Sequence, residues 1–169
     1  KKRLSGSAAA VMAILCVLNC VSIFRMPLNY KDEGTDYALC EMLSENGLNY
    51  GYATFWNANK YTVISESEVC VRGIEISDNS IKIYSYQTNK TWYDDQPDTQ
   101  KYFLLLSDYE YEEVKGSDVY NSMEEHHIGT LDYTRTTENH YEDNIITDSS
   151  SENFKILIYD CNITSYFNG

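Results

Sequence analysis

The chain has 169 residues, 43% of them hydrophobic and 23% charged, with 13 Lys and Arg against 26 Asp and Glu. Every acid lies after Phe24, so that portion holds ten cations against twenty-six acids, a net charge of −16 that repels a nucleic-acid duplex or an anionic lipid surface and excludes nucleic acid as a partner. The roughly 145 residues after Phe24 suffice for one domain with its own core and leave no room for a second.

Taken in chain order, Lys1 to Arg3 are three consecutive cations, and Ser5 to Phe24, "SGSAAAVMAILCVLNCVSIF", is twenty residues without a charge. At about 1.5 Å per helical residue this run covers the roughly 30 Å hydrocarbon core of a bilayer. Ser5, Gly6, Ser7 and Asn19 dilute its hydrophobicity, and small residues are common where one membrane helix packs on others. A signal peptide would need a shorter apolar region and a small-residue cleavage site, which "CVSIFRMPLNY" lacks. A buried helix of a soluble domain would show a polar face at helical spacing, and none repeats here. The expected organisation is therefore a transmembrane helix over 1–24, a linker over 25–34 and an extracytoplasmic domain over 35–169. By the positive-inside rule Lys1, Lys2 and Arg3 stay cytoplasmic. The lipid bilayer and further membrane helices of the same parent protein are the expected partners of Ser5–Phe24. A start at Lys1 suits a piece of a longer protein.

"RMPLNYKDEG" carries Pro, Asn, Gly and charges and reads as the linker. In "TDYALCEMLSENG", Thr35 or Asp36 is an N-cap candidate, Gly47 closes the C-terminus, and Ala38, Leu39, Met42 and Leu43 recur at helical spacing, predicting a helix over Asp36–Glu45. "LNYGYAT" predicts a short strand with Tyr50 and Tyr52 on one face. Thr54 can cap a helix over Phe55–Ser65, whose Trp56, Asn59, Lys60, Val63 and Ile64 keep the i, i+3, i+4, i+7, i+8 rhythm. That rhythm places Trp56 inward, against the core. "EVCVRGIEI" is the next strand, over Val69–Ile76, completing a strand, helix, strand unit.

Further on, "SIKIYSYQ" alternates like a half-exposed strand, and "KYFLLLS" and "FKILIYD" are continuous apolar runs of the kind found in buried strands. The first part of the polar stretch from Tyr109 to Ser151 suits a surface helix, Gly129 to Arg135 a strand, and "DSSSEN" a loop. The fold class expected is α/β: one small domain with a mixed, largely parallel sheet flanked by helices, behind an N-terminal transmembrane helix.

Chemistry-bearing motifs are few. His126 and His127 are adjacent, and successive residues on regular structure point apart, so with His140 they make a poor chelate; no metal is expected. Asp94 and Asp95 sit in a polar stretch that suits a solvated turn better than acid–base catalysis. Phosphate-loop and nucleophile-elbow patterns are missing, and no cofactor is expected. Acidity itself signals solubility before cation binding. Cys40, Cys70 and Cys161 match no zinc spacing; a Cys70–Cys161 disulfide is one possibility and buried thiols another. Asn89-Lys-Thr and Asn162-Ile-Thr are glycosylation sequons. Trp92 and Tyr93 cover the core or line a pocket.

The order of the helix, "GLNYGYATFWNANKYTVIS" and "VCVRGIEI", followed by "WYDD", "KYFLLLSD" and "FKILIYDCNI", resembles the C-terminal extracytoplasmic domain of multi-span, lipid-linked-sugar-dependent glycosyltransferases of the GT-C-like type and their bacterial relatives. The likeness covers Asp36 to Ile163 and is most specific in "YGYATFWNAN". It implies the last span and outer cap of a membrane enzyme whose catalytic residues lie elsewhere, leaving this chain non-catalytic by itself and able to brace the membrane part or position an acceptor. The implied localisation is the cell membrane with the C-terminal domain outside, and a saccharide or lipid-linked sugar is the implied ligand. The alternative is a membrane-anchored extracellular binding module without enzymatic activity. Rings alternating with amides can cradle a sugar, so Tyr52, Asn57 and Asn59 are the candidate ligand-binding residues.

Overall fold

The computed structural model describes residues 11, 12, 14–17, 35–86, 88–139 and 148–167. The chain divides into two units, residues 1–32 and 33–169. In the first, residues 11, 12 and 14–17 are helical, with exposed apolar side chains at Val11, Met12, Ile14, Leu15 and Val17. Among the described residues no helix is long and apolar enough to cross a membrane. Most of the expected span Ser5–Phe24, and the expected linker over 25–34, lie outside the described residues.

The second unit is an α/β domain. Helix α1, Thr35–Glu45, ends at Gly47, whose φ of +70° lets the Leu48 N–H return to the Leu43 carbonyl at 2.9 Å and close the helix. Strand β1, Tyr50–Thr54, leads directly into helix α2, Phe55–Ile64. Thr54 takes the extended N-cap conformation that was expected, but its side chain makes no capping bond. β2, Cys70–Ser77, returns parallel to β1 and turns through Asp78 and Asn79 into β3, Ser80–Ile83. Both turn residues have φ near +55°, the conformation of a tight two-residue hairpin that suits Asp and Asn. After a 3₁₀ turn at Lys90–Tyr93 come β4, Tyr102–Ser107, and two short helices, α3 at Asp108–Val114 and α4 at Asp118–Met123. β5, His127–Asn139, and β6, Asp148–Tyr159, pair antiparallel.

These strands form one six-stranded sheet in the order β3-β2-β1-β4-β6-β5. β1 at the centre is parallel to both neighbours, while β3, β6 and β5 join antiparallel. The sheet is thus mixed as expected but parallel only at its centre, a correction to the largely parallel expectation. Continuous apolar strands report that both faces are covered and do not report direction: Leu104 and Leu105 of β4 face Leu157 and Ile156 of an antiparallel β6 and are fully buried.

Strand alternation sorts the core into two layers. Tyr50, Tyr52, Leu104, Leu106, Leu157 and Tyr159 face α3, α4 and the C-terminal segment, meeting Val114, Val119, Met123, Ile163 and Phe167. Ala53, Val71, Phe103, Leu105 and Ile156 face α1 and α2, meeting Leu39, Leu43, Ala58 and Tyr61. On that second side Lys60 of α2 and Arg135 of β5 both ion-pair with Asp36 of α1, and Arg135 also pairs with Glu152 of β6.

Two expectations in the polar stretch are corrected. The expected surface helix is two, because Gly116 adopts φ +77° and Ser117 starts a new cap by accepting from the Tyr120 N–H. The "DSSSEN" loop is instead the beginning of β6, where Ser149, Ser150 and Ser151 pair with Glu138, Thr137 and Thr136 of β5. Polarity misled there, because a hairpin can keep its ladder hydrogen bonds without burying apolar side chains.

Candidate functional site

Helix α2 carries the main surprise. Trp56 is 80% exposed and Val63 75% exposed, and the residues α2 buries are Ala58 and Tyr61. The expectation that Trp56 packs inward is therefore corrected. The Trp56, Asn59, Val63 rhythm is real, but it marks the opposite wall of the helix. The buried stripe, one or two positions further round, is carried by a small alanine and by Tyr61, which a hydrophobicity count ranks below Trp and Val.

The wall that carries Asn59 and Val63 borders a groove of about 230 Å³ between α2 and the β2–β3 edge. Phe55, Asn59, Thr62 and Val63 supply one side; Val71, Arg72 and Gly73 of β2 form the floor; Tyr84, Tyr86, Thr88 and Trp92 close the other side. Trp56 meets Phe55 edge to face at 5.2 Å between ring centroids, and Phe55 meets Tyr84 at 4.8 Å. The touching rings Trp56, Phe55 and Tyr84 therefore lead from solvent into the groove, whose lining also includes the exposed Tyr86 and the half-buried Trp92.

Among the described residues Arg72 is the charged group in this lining. Its guanidinium lies 4.3 Å from the centre of the Trp92 ring and 5.4 Å from that of Tyr50, and its Nε donates to the Tyr50 hydroxyl at 3.0 Å. That hydroxyl donates in turn to the Trp92 carbonyl at 2.6 Å. The cation is held by two π faces and a hydroxyl, which fixes its direction without neutralising it. Thr62 Oγ1 bridges the Val71 N–H and carbonyl, tying α2 to the groove floor.

The sequence candidates separate cleanly. Asn59 is exposed, lines the groove, and donates its amide to the Phe55 carbonyl at 3.0 Å, leaving its carbonyl oxygen directed by that bond. Asn57 is half-buried and stands outside the lining. Tyr52 is fully buried and belongs to the core, stacked between Tyr93 and Tyr102 at 6.2 and 6.4 Å with its hydroxyl donating to Asn162 Oδ1 at 2.8 Å. Strand alternation explains this, since Tyr52 points to the face opposite α2. Burial pushes the Tyr52 hydroxyl far above its ordinary value and that of Tyr93 up to about 12.

Sequence reasoning missed Arg72, Tyr84 and Tyr86, and for Trp92 it held lining a pocket as the second reading behind covering the core. Their common signal was the aromatic-rich stretch from Tyr84 to Trp92 following an alternating strand, which only the hairpin brings against α2. The remaining motifs also resolve. Cys40 is buried, Cys70 and Cys161 are half-buried, and all three are free thiols. Asn162 is held inside by Tyr52, Tyr93 and Thr164, whereas Asn89 is exposed and caps the Lys90–Tyr93 turn. His126 and His127 turn to different partners, Asp160 and Thr130, and His140 lies outside the described residues. Comparison with known proteins finds no matching family model, curated protein or solved structure.

Proposed function

We propose that the 33–169 unit is a non-catalytic saccharide-binding domain, the outer domain of a membrane glycosyltransferase-like protein, in which it positions a saccharide acceptor or a lipid-linked sugar outside the membrane. The observation that carries the binding half of this reading is Trp56, an indole 80% exposed beside an aromatic groove. A large ring left in water forgoes roughly 1.5–3 kcal/mol of burial, and together with the exposed Val63 and Tyr86 of the adjacent groove it forms an apolar patch of the kind that suits a partner. Sugars present CH groups that stack on ring faces and hydroxyls that need donors and acceptors. The Trp56–Phe55–Tyr84 run supplies the faces, while the Asn59 amide and Thr88 supply the polar partners. Among the described residues the lining holds no carboxylate, imidazole or thiol group, which suits holding a ligand over transforming it. The membrane and glycosyltransferase context rests on the sequence resemblance.

Titration of the full chain with a panel of neutral and acidic oligosaccharides tests the reading. Trp56→Ala and Tyr86→Ala should each weaken a bound glycan by at least about tenfold, the loss expected for an aromatic anchor. Asn57→Ala should leave binding unchanged. A panel with no ligand, or affinities indifferent to Trp56, would remove saccharide binding from the proposal.

A further inference from the structure

A second group of reactive side chains lies where β6 ends, away from the groove. The strand stops at Tyr159, and Asp160 and Cys161 occupy the bend that follows. In a bend the alternation of a strand no longer sends successive side chains to opposite faces. The Asp160 N–H donates to the His126 carbonyl at 3.1 Å, which fixes the bend against the 3₁₀ turn Glu124–His126. As a result His126, Asp160 and Cys161 each bring one ligand-type atom into a group whose members all lie within 4.8 Å of one another. His126 Nδ1 is 2.9 Å from Asp160 Oδ1, and Glu125 Oε1 stands 3.7 Å from Nε2 on the other side of the ring.

We propose that His126, Asp160 and Cys161 form a binding site for a divalent transition cation of the zinc class, with a fourth position open to water. One nitrogen, one oxygen and one sulfur donor favour zinc over calcium or magnesium, which take oxygen ligands. In the free chain the 2.9 Å contact with the Asp160 carboxylate puts a proton on Nδ1; Glu125, on the Nε2 side, favours the shift to the Nε2–H tautomer that frees the Nδ1 lone pair for the cation, and is a positioning residue. Asp95 and Glu125 add carboxylate charge around the thiol, and the net charge of −16 after Phe24 raises the local concentration of cations. On binding, sulfur–metal, nitrogen–metal and oxygen–metal bonds form, the thiol S–H breaks and its proton passes to solvent, and the imidazole exchanges its Nδ1 proton for one on Nε2 through solvent, with no change in oxidation state. Donors at ordinary zinc distances of roughly 2.0–2.3 Å stand about 3.3–3.7 Å from one another, so the His126–Asp160 pair at 2.9 Å opens slightly and the wider separations, none above 4.8 Å, close, a movement available to side chains on a turn and a bend.

Cobalt(II) is the probe, because zinc is spectroscopically silent. The full chain titrated with cobalt chloride should develop a thiolate-to-cobalt charge-transfer band that saturates at one equivalent and disappears when zinc is added. Cys161→Ser should abolish the band, His126→Ala should weaken binding at least about tenfold, and Glu125→Gln should weaken it about tenfold while leaving the band position unchanged. If Cys161→Ser does not fold, the decision passes to the melting temperature. Zinc should raise it for the native chain and raise it markedly less for His126→Ala at the same zinc concentration. The absence of a band in the native chain, a band that survives Cys161→Ser, or a zinc-induced rise undiminished in His126→Ala overturns the site.

Discussion

At position 56 an indole stands in water while, two residues along, an alanine is buried. Trp56→Ala should therefore change stability by no more than about 0.5 kcal/mol, as for an ordinary surface substitution. Tyr52→Ala should cost about 3–5 kcal/mol, the range for truncating a large buried aromatic. Urea denaturation of the two variants checks the contrast, and a large loss at position 56 would return that ring to the core. The buried tyrosines also set a pH limit. Burial raises the Tyr93 hydroxyl from 10.0 to about 12, so the folded chain keeps its proton where the unfolded chain releases it. The associated stability is fully present below pH 10 and is lost between pH 10 and about 12. Melting temperatures should fall through that window, and less steeply in Tyr93→Phe; an equal slope in the variant would show that Tyr93 is not a source of the loss.

Among the elements, β1 is packed closely against β4 at Gly51. Tyr50 and Tyr52 go to one layer, Gly51 and Ala53 to the other, and a Cβ built on Gly51 would lie 2.5 Å from the ring of the fully buried Phe103. Gly51→Ala should destabilise the domain by about 1–3 kcal/mol through overpacking, measurable as a lower urea midpoint; an unchanged midpoint would mean that the β1–β4 spacing is looser than described. At α3, Ser107 accepts from the Glu110 N–H while Glu110 reaches back to the Ser107 N–H at 2.7 Å. Loss of that reciprocal cap in Ser107→Ala should cost about 1 kcal/mol by the same assay. The elements most legible in the sequence were those whose local signals agree: Gly47 after the α1 stripe, alternation in β1, and apolar density in β4. The α2 boundaries were legible and its facing was not, because periodicity gives the angle between residues and only tertiary contact decides which side meets the core. Serines opening β6 failed for a related reason, since ladder hydrogen bonds carry no side-chain signal.

Over the whole molecule, the three apolar strands do share one sheet, with α1 and α2 packed on it as the sequence led one to expect. Their directions were not legible, because burial on both faces looks alike in parallel and antiparallel pairs. The candidate site was half legible: "FWNAN" marked one wall, but the opposing wall from Tyr84 to Trp92 arrives through the β2–β3 hairpin, a contact no local pattern encodes. On the proposed reading, Trp56 is held in water for a saccharide. The chain has only two tryptophans, so Trp92→Phe leaves Trp56 as the sole indole, and acrylamide quenching of its fluorescence in the full chain tests the claim directly. We expect strong quenching in the free chain and protection when a binding oligosaccharide from the neutral and acidic panel is added. An indole already shielded from acrylamide in the free chain, or one equally quenched at saturating concentrations of every oligosaccharide tried, would contradict it.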